Sequence, residues 1–315
     1  MMKKWLPIVL LTVLALVLIG IKTYPFLKSH FLTEETNQAQ GKKSEEDSLT
    51  FDEKKHRGFK EATFPFQNEE KKKLAEAHPD QFGIVQKMYY SWDFIDNAQG
   101  KYEIKYPDEN KSRLYTFSVD LENRKNRSTY ELIENGQVIE TIHVLLKDGI
   151  ATRQMPQKHI FTKEPIENNP RAGADSLYGR YIGLFNSDIT NSEWYILIEG
   201  NYEDWTYSEV EFLGMPAFLI KGTISEDKSE ALAGPFTMTV SKETGALLDL
   251  KCYEENEKVG FSITVQDLSI NKDIPDDVFV LDVNGNKEVD NTEFNLNGVG
   301  YSGEEKTGGE EISHD

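Results

Sequence analysis

The first apolar stretch is unbroken. WLPIVLLTVLALVLIGI, Trp5 to Ile21, carries no charge. About 20 apolar residues cross a bilayer core, whereas a signal-peptide core is roughly 7–15 residues long. KTYPFLKSH follows, with no small-x-small cleavage site and no cysteine. The pattern predicts an uncleaved N-terminal transmembrane anchor within residues 1–30. Lys3 and Lys4 precede the run, and Lys22 and Lys28 follow it. The short first flank and its α-amino charge favour an inside N-terminus. The bulk of the chain is then expected to be extracytoplasmic, single-pass, at a bacterial cell membrane. Residues 31–60 are polar without a sustained apolar period, which predicts a flexible stalk.

From residue 61 the pattern becomes that of a folded domain. NEEKKKLAEAHPDQFGIVQKMYYSWDFI reads as a helix broken near Pro79, with Asp80 as a candidate N-cap of its second part. Phe82, Val85, Met88, Tyr89 and Trp92 recur there at three- and four-residue spacing. Further on the period changes to two. SRLYTFSVDL sets Tyr115, Phe117, Val119 and Leu121 on one face. Asn135-Gly136 and Asp148-Gly149 mark tight turns between strands, and links so short imply antiparallel pairing. DSLYGRYIGLF is a second helical pattern, with Leu177, Tyr178, Tyr181, Ile182 and Phe185 on one side. WTYSEVEFL, AFLIKGTIS, FTMTV, ALLDLKCY and FSITVQDLSI then read as strands, and DIPDDVFVLDV closes the ordered region. The prediction is an α+β, mainly β domain over residues 61–283: a curved antiparallel sheet with helices on its concave face. Residues 284–315, rich in Gly, Glu and Asn, are expected to form an acidic disordered tail.

Composition narrows the function. With 54 acidic and 35 basic residues the net charge is −19. Nucleic-acid binding, which needs Lys and Arg to neutralise phosphates, is excluded on that ground. One cysteine, Cys252, rules out an intrachain disulfide. On the strand LLDLKCY it reads as a buried inert thiol. None of the six histidines shows close metal-ligand spacing, and there is no GxSxG elbow, P-loop or GxGxxG after a strand. His143 reads as a satisfied structural histidine. No enzyme is expected and no cofactor is implied.

Two constellations remain. The helical aromatics Tyr89, Trp92, Tyr178, Tyr181 and Phe185 either cover the sheet as core or line an apolar cavity between helices and sheet; sequence leaves both open. DVNGNKEVDNTEF sets Asp282, Asn284, Asn286, Glu288, Asp290 and Glu293 at positions 1, 3, 5, 7, 9 and 12 of an EF-hand loop. Lys287 replaces the required Gly, and neither flank reads as a helix. The stretch is therefore expected to be a weak calcium-loop look-alike rather than a metal site.

The residues from Glu209 to Val280 carry a further pattern. A Gly-x-x-Ala turn runs from Gly214 to Ala217 before a strand. Thr244-Gly245 forms a turn followed by Leu248 and Tyr253. Ile274-Pro275-Asp276 and Phe279 end the pattern. Thr239 and Ser241 stand where a Trp and an Asp often occur. The stretch resembles the second half of the LolA-like and RseB-like half-barrels, the lipoprotein-carrier and sigma-regulator superfamily. The resemblance implies a half-barrel that holds an acyl chain in its concavity. For a tethered chain it implies a sensor or regulator more than a shuttling carrier. The expected function is therefore non-enzymatic binding of a lipid or lipopeptide, or regulation of envelope stress. The alternative is a protein-interaction module acting on an anti-sigma factor or a cell-wall enzyme, without a lipid ligand.

Overall fold

The computed structural model describes residues 64–106, 110–166, 187–190, 193–254 and 256–298. The expected anchor, the stalk and the DSLYGRYIGLF pattern lie outside these residues.

Short turns organise two meanders. The first contains β1 (Asn97–Tyr106), β2 (Lys111–Asp120), β3 (Lys125–Glu134), β4 (Gln137–Lys147), β5 (Ile150–Met155) and β6 (Ile160–Pro165). The second contains β7 (Trp205–Phe212), β8 (Met215–Ile224), β9 (Gly234–Ser241), β10 (Leu247–Tyr253) and β11 (Val259–Ile270). At the β3–β4 turn Asn135 and Gly136 have φ of 53° and 77°, the paired left-handed conformation that two-residue hairpins need. Asp148 and Gly149 repeat it at 54° and 72°. β1 pairs antiparallel with β11, which welds the meanders into one open, curved sheet. β12 (Lys287–Glu288) adds in parallel to β6, giving twelve strands among the described residues in the order β12-β6-β5-β4-β3-β2-β1-β11-β10-β9-β8-β7.

Helices gather on one face of this sheet. That face carries Ile104, Ile263, Leu250, Met238 and Ile220, register partners across five strands and all essentially buried. α1 (Glu69–Ala77) is capped by Asn68, whose side chain accepts from the Lys71 amide at 2.9 Å. α2 (Pro79–Tyr89) begins with Pro79 in its first turn and His78 at the cap position. Asp80 is therefore not the N-cap; it lies inside the first turn, where its charge still suits the helix dipole. Phe82, Ile84, Val85, Met88 and Tyr89 are buried along α2. Their spacing is the helical period read in the sequence. A 3-10 turn at Ser91–Phe94 leads into β1.

The C-terminal end departs from expectation. Among the described residues DVFVL pairs with no strand. After a 3-10 turn at Asp276–Val278 the chain crosses the opposite face of the sheet. There it is held by Lys125 Nζ on Asp276 at 2.6 Å, Arg127 Nε on the Val280 carbonyl at 3.1 Å and Gln154 Nε2 on the Asp282 carbonyl at 3.1 Å. It then rounds the edge. The Lys287 amide donates to His159 and the Val289 amide to Phe161. α4 (Asn291–Leu296) lands back on the helical face. Asn291 and Asn295 there accept from Arg153, and Phe294 packs with Met155, Ile160 and Val289. Residues 284–298 are thus a folded strap, not the start of a disordered tail. Composition misleads here because two apolar side chains suffice. Burying Val289 and Phe294 is worth about 1.5–3 kcal/mol each, and a cap on Asp290 satisfies the helix start.

Candidate functional site

Strand register assembles a row of aromatic rings on the helical face. Tyr102 on β1 lies opposite Tyr115 on β2, which lies opposite Tyr130 on β3. The first pair stacks at 4.7 Å with an interplanar angle of 10°, and the second tilts at 5.4 Å. Phe117 closes one side of Tyr102 at 6.2 Å. Two residues along the same face, Arg113 sits over the Tyr106 ring at 5.4 Å. Tyr106 meets Phe261 at 5.3 Å, and Phe261 meets Trp194, from the 3-10 turn Glu193–Leu197, at 5.7 Å. Trp194, Phe261 and Tyr106 thus run on from the Tyr102–Tyr115–Tyr130 row as an aromatic collar, with Arg113 over its Tyr106 ring.

Exposure is graded across the collar. Tyr102 is fully buried, Tyr115 and Tyr130 are nearly so, and Arg113 is exposed. Partial burial opposes the guanidinium charge. The oxygens of Tyr106, Tyr115 and Tyr130 outweigh it and hold the pKa above its ordinary value. A guanidinium over an aromatic face is attracted by the ring's quadrupole, and Arg113 also hydrogen-bonds Tyr115.

Behind the collar stands Asp188, on the short helical turn α3 (Ser187–Thr190). Its carboxylate accepts from the Tyr102 hydroxyl at 3.0 Å. Burial pushes the carboxyl pKa up; hydrogen bonds from Tyr102 and Trp194 and the charge of Arg113 pull it back without cancelling the rise. Tyr102 is driven well above the phenol range, first by burial and then by Asp188.

Of the aromatics singled out in the sequence, Tyr89 and Trp92 are buried. Tyr89 belongs to a cluster with Phe64 at 5.0 Å and Tyr195 at 5.3 Å. Trp92 reaches α3: its indole N–H donates to Thr190 Oγ1 at 3.2 Å, while Ser91 Oγ donates to the Thr190 carbonyl at 2.6 Å. Trp92 therefore fixes the turn that presents Asp188. Tyr178, Tyr181 and Phe185 lie outside the described residues. Sequence reasoning missed Tyr102, Arg113, Tyr130 and Asp188. Arg113 had a signal, since it continues the apolar face of β2 two residues before Tyr115.

The calcium-loop residues take other duties. Asp282 accepts from the Asn284 amide at 2.9 Å, Asp290 caps α4 through the Glu293 amide at 2.8 Å, and Glu293 pairs with Lys287 at 3.0 Å. Among the described residues no group of three or more His, Cys, Asp or Glu is placed to hold a metal. His143 bonds Thr129 at 2.9 Å, and burial pushes the Cys252 thiol up to about 12. A small groove of about 210 Å³ lies between α2 and the β8–β9 strands, lined by Ile84, Lys87, Phe218, Val240 and Lys242 among others.

No protein-family model matches the chain, and no curated protein matches it. Among solved structures it is similar to the Pseudomonas aeruginosa MucA/MucB complex, at 13% identity and a TM-score of 0.37, over 67% of this chain and 63% of that one. It is similar to the Mycobacterium tuberculosis lipoprotein LppX, at 12% identity and a TM-score of 0.34, over 62% of this chain and 98% of that one. A LolA superfamily protein from Nitrosomonas europaea aligns at 12% identity and a TM-score of 0.23, over 64% and 97%. The chain spans less than two thirds of the MucB length. In each case the similarity runs over about two thirds of this chain.

Proposed function

We propose that this chain is a non-enzymatic binding protein, tethered by Trp5–Ile21 on the outer side of a bacterial membrane. It receives an amphipathic anion such as a lipid or lipopeptide and works in envelope maintenance or stress sensing. The observation that carries this is the collar: an exposed arginine held over the Tyr106 ring, which Phe261 and Trp194 continue. The exposed Arg113 suits a charged head group, and the half-buried rings of Tyr106 and Trp194 suit the apolar part. Nothing in the set pairs a nucleophile with a base.

Native mass spectrometry on the full 315-residue chain, released from detergent after exposure to bacterial lipid extract, tests the reading. A bound mass in the lipid range, lost on denaturation and reduced at least tenfold by Arg113→Ala, is the expected result. A clean apo mass under the same conditions would refute lipid binding. The second reading, a protein-interaction module, draws on the groove beside α2, which at about 210 Å³ is below the roughly 300–1,000 Å³ of small-molecule pockets.

A further inference from the structure

We propose that the outer edge of β7 takes up an extended, basic segment of a partner protein as an added antiparallel strand. Among the described residues the sheet ends at β7, and its outer side has no strand neighbour. One backbone bond fixes the hydrogen-bond parity of β7. Asp204 lies opposite Thr223, because Trp205 is the register partner of Gly222. The Thr223 amide donates to the Asp204 carbonyl at 3.1 Å. In an antiparallel pair the bonded residues alternate, so 206, 208, 210 and 212 bond inward to β8. Residues 205, 207, 209 and 211 then point their amides and carbonyls outward.

One outward group confirms the parity. The Trp205 carbonyl is taken by Gln81 Nε2 at 3.1 Å, from α2. Tyr207, Glu209 and Glu211 have no backbone partner among the described residues. Tyr207 is 36% exposed and the Glu209 side chain 69% exposed. Three outward amides and three outward carbonyls along an edge strand form a template for strand addition.

Charge selects the occupant. Glu203, Asp204, Glu209 and Glu211 line this edge. Lys242 holds Glu209 from the inner side at 2.6 Å, while Glu203, Asp204 and Glu211 have no ion pair among the described residues. A second copy of the chain fits poorly, because antiparallel pairing would bring the glutamates of both copies together, and like charges directly opposite destabilise a pair. A strand with alternating Lys or Arg meets them favourably. Edge acids can also act as guards against pairing, and the experiment separates the two roles.

The probe is a nine-residue peptide of alternating Thr and Lys, with a Thr-Glu peptide for comparison. Both are titrated against the full chain in detergent by fluorescence anisotropy, and hydrogen exchange is followed at single residues. The Thr-Lys peptide is expected to bind at least tenfold more tightly and to slow exchange at Tyr207, Glu209 and Glu211. Glu209→Pro removes an outward amide and no ladder bond, a place where edge strands tolerate proline. It should weaken binding at least tenfold while the melting temperature holds. Arg113→Ala should leave binding unchanged, so this proposal and the collar fail independently. Equal affinity for both peptides, unprotected amides, or binding that survives Glu209→Pro would each overturn the proposal. So would self-association of the chain that Glu209→Pro abolishes, since the occupant would then be a second copy.

Discussion

Replacing Gly245 by Ala isolates one close approach on which the helical layer depends. Gly245 follows Thr244 in the turn between β9 and β10 and has φ of +75°. An added Cβ there would fall on the Lys87 carbonyl and lie 2.8 Å from the Met88 amide, both backbone atoms at the end of α2. Two costs are expected. Holding an L-residue in the left-handed region costs roughly 1–2 kcal/mol. Displacing a packed helix end adds about 1–3 kcal/mol, as overpacking does elsewhere. Gly214 supplies the control: its φ is also +75°, but an added Cβ meets nothing within 4 Å. Gly214→Ala should therefore show the first cost alone. Thermal unfolding followed by tryptophan fluorescence reads the difference, since Trp92 and Trp205 are both buried. In a domain of this size about 1 kcal/mol moves the midpoint by roughly 2–4 °C. Gly245→Ala should melt well below Gly214→Ala. Equal midpoints would refute the packing of α2 onto this turn.

Asp188 gives a pH signature. Its folded pKa lies above the ordinary 3.8, so the folded state binds its proton more tightly than the unfolded chain. Stability from this group is therefore lost as pH rises from near 4 through the folded pKa. Melting curves of wild type and Asp188→Asn across that range should diverge in favour of Asn as pH rises; divergence the other way would contradict the burial argument. The strap predicts a local effect. Phe294→Ala should cost about 3–5 kcal/mol of strap stability and speed exchange of the Lys287 and Val289 amides by roughly a hundredfold or more. Asp290→Ala, which removes a cap worth about 1 kcal/mol, should speed it only several-fold. Unchanged exchange at those amides in Phe294→Ala would show that the strap is held elsewhere.

The sequence made local geometry legible and long-range geometry obscure. Asn135-Gly136 and Asp148-Gly149 announce their turns because few other residues accept two successive positive φ values. β2 announces its buried face through Tyr115, Phe117 and Val119. β1 hides: its inward residues begin with Ala98 and Gly100, which weaken the apolar alternation, and its partner β11 lies more than 150 residues away. The collar is harder still, since Tyr102, Tyr115 and Tyr130 become a row only once three strands share a register. Asp188 sits in the polar run NSDIT and gains its character from burial that no local pattern encodes. In the strap the same acidic residues that spelled a metal loop serve as caps and turn anchors. One-dimensional spacing cannot tell a carboxylate aimed at a cation from one aimed at a backbone amide.

The strap also sets how copies of the sheet could join. Edge-to-edge growth into a fibre needs two open ends on every unit, so that each addition leaves a fresh end. Here one flank is occupied by two residues of parallel backbone and a helix folded around the rim. Among the described residues the sheet is therefore one-ended: any union through its β7 flank consumes the free end and stops. A twelve-stranded sheet thus gains from the last fifteen described residues a built-in limit on polymerisation.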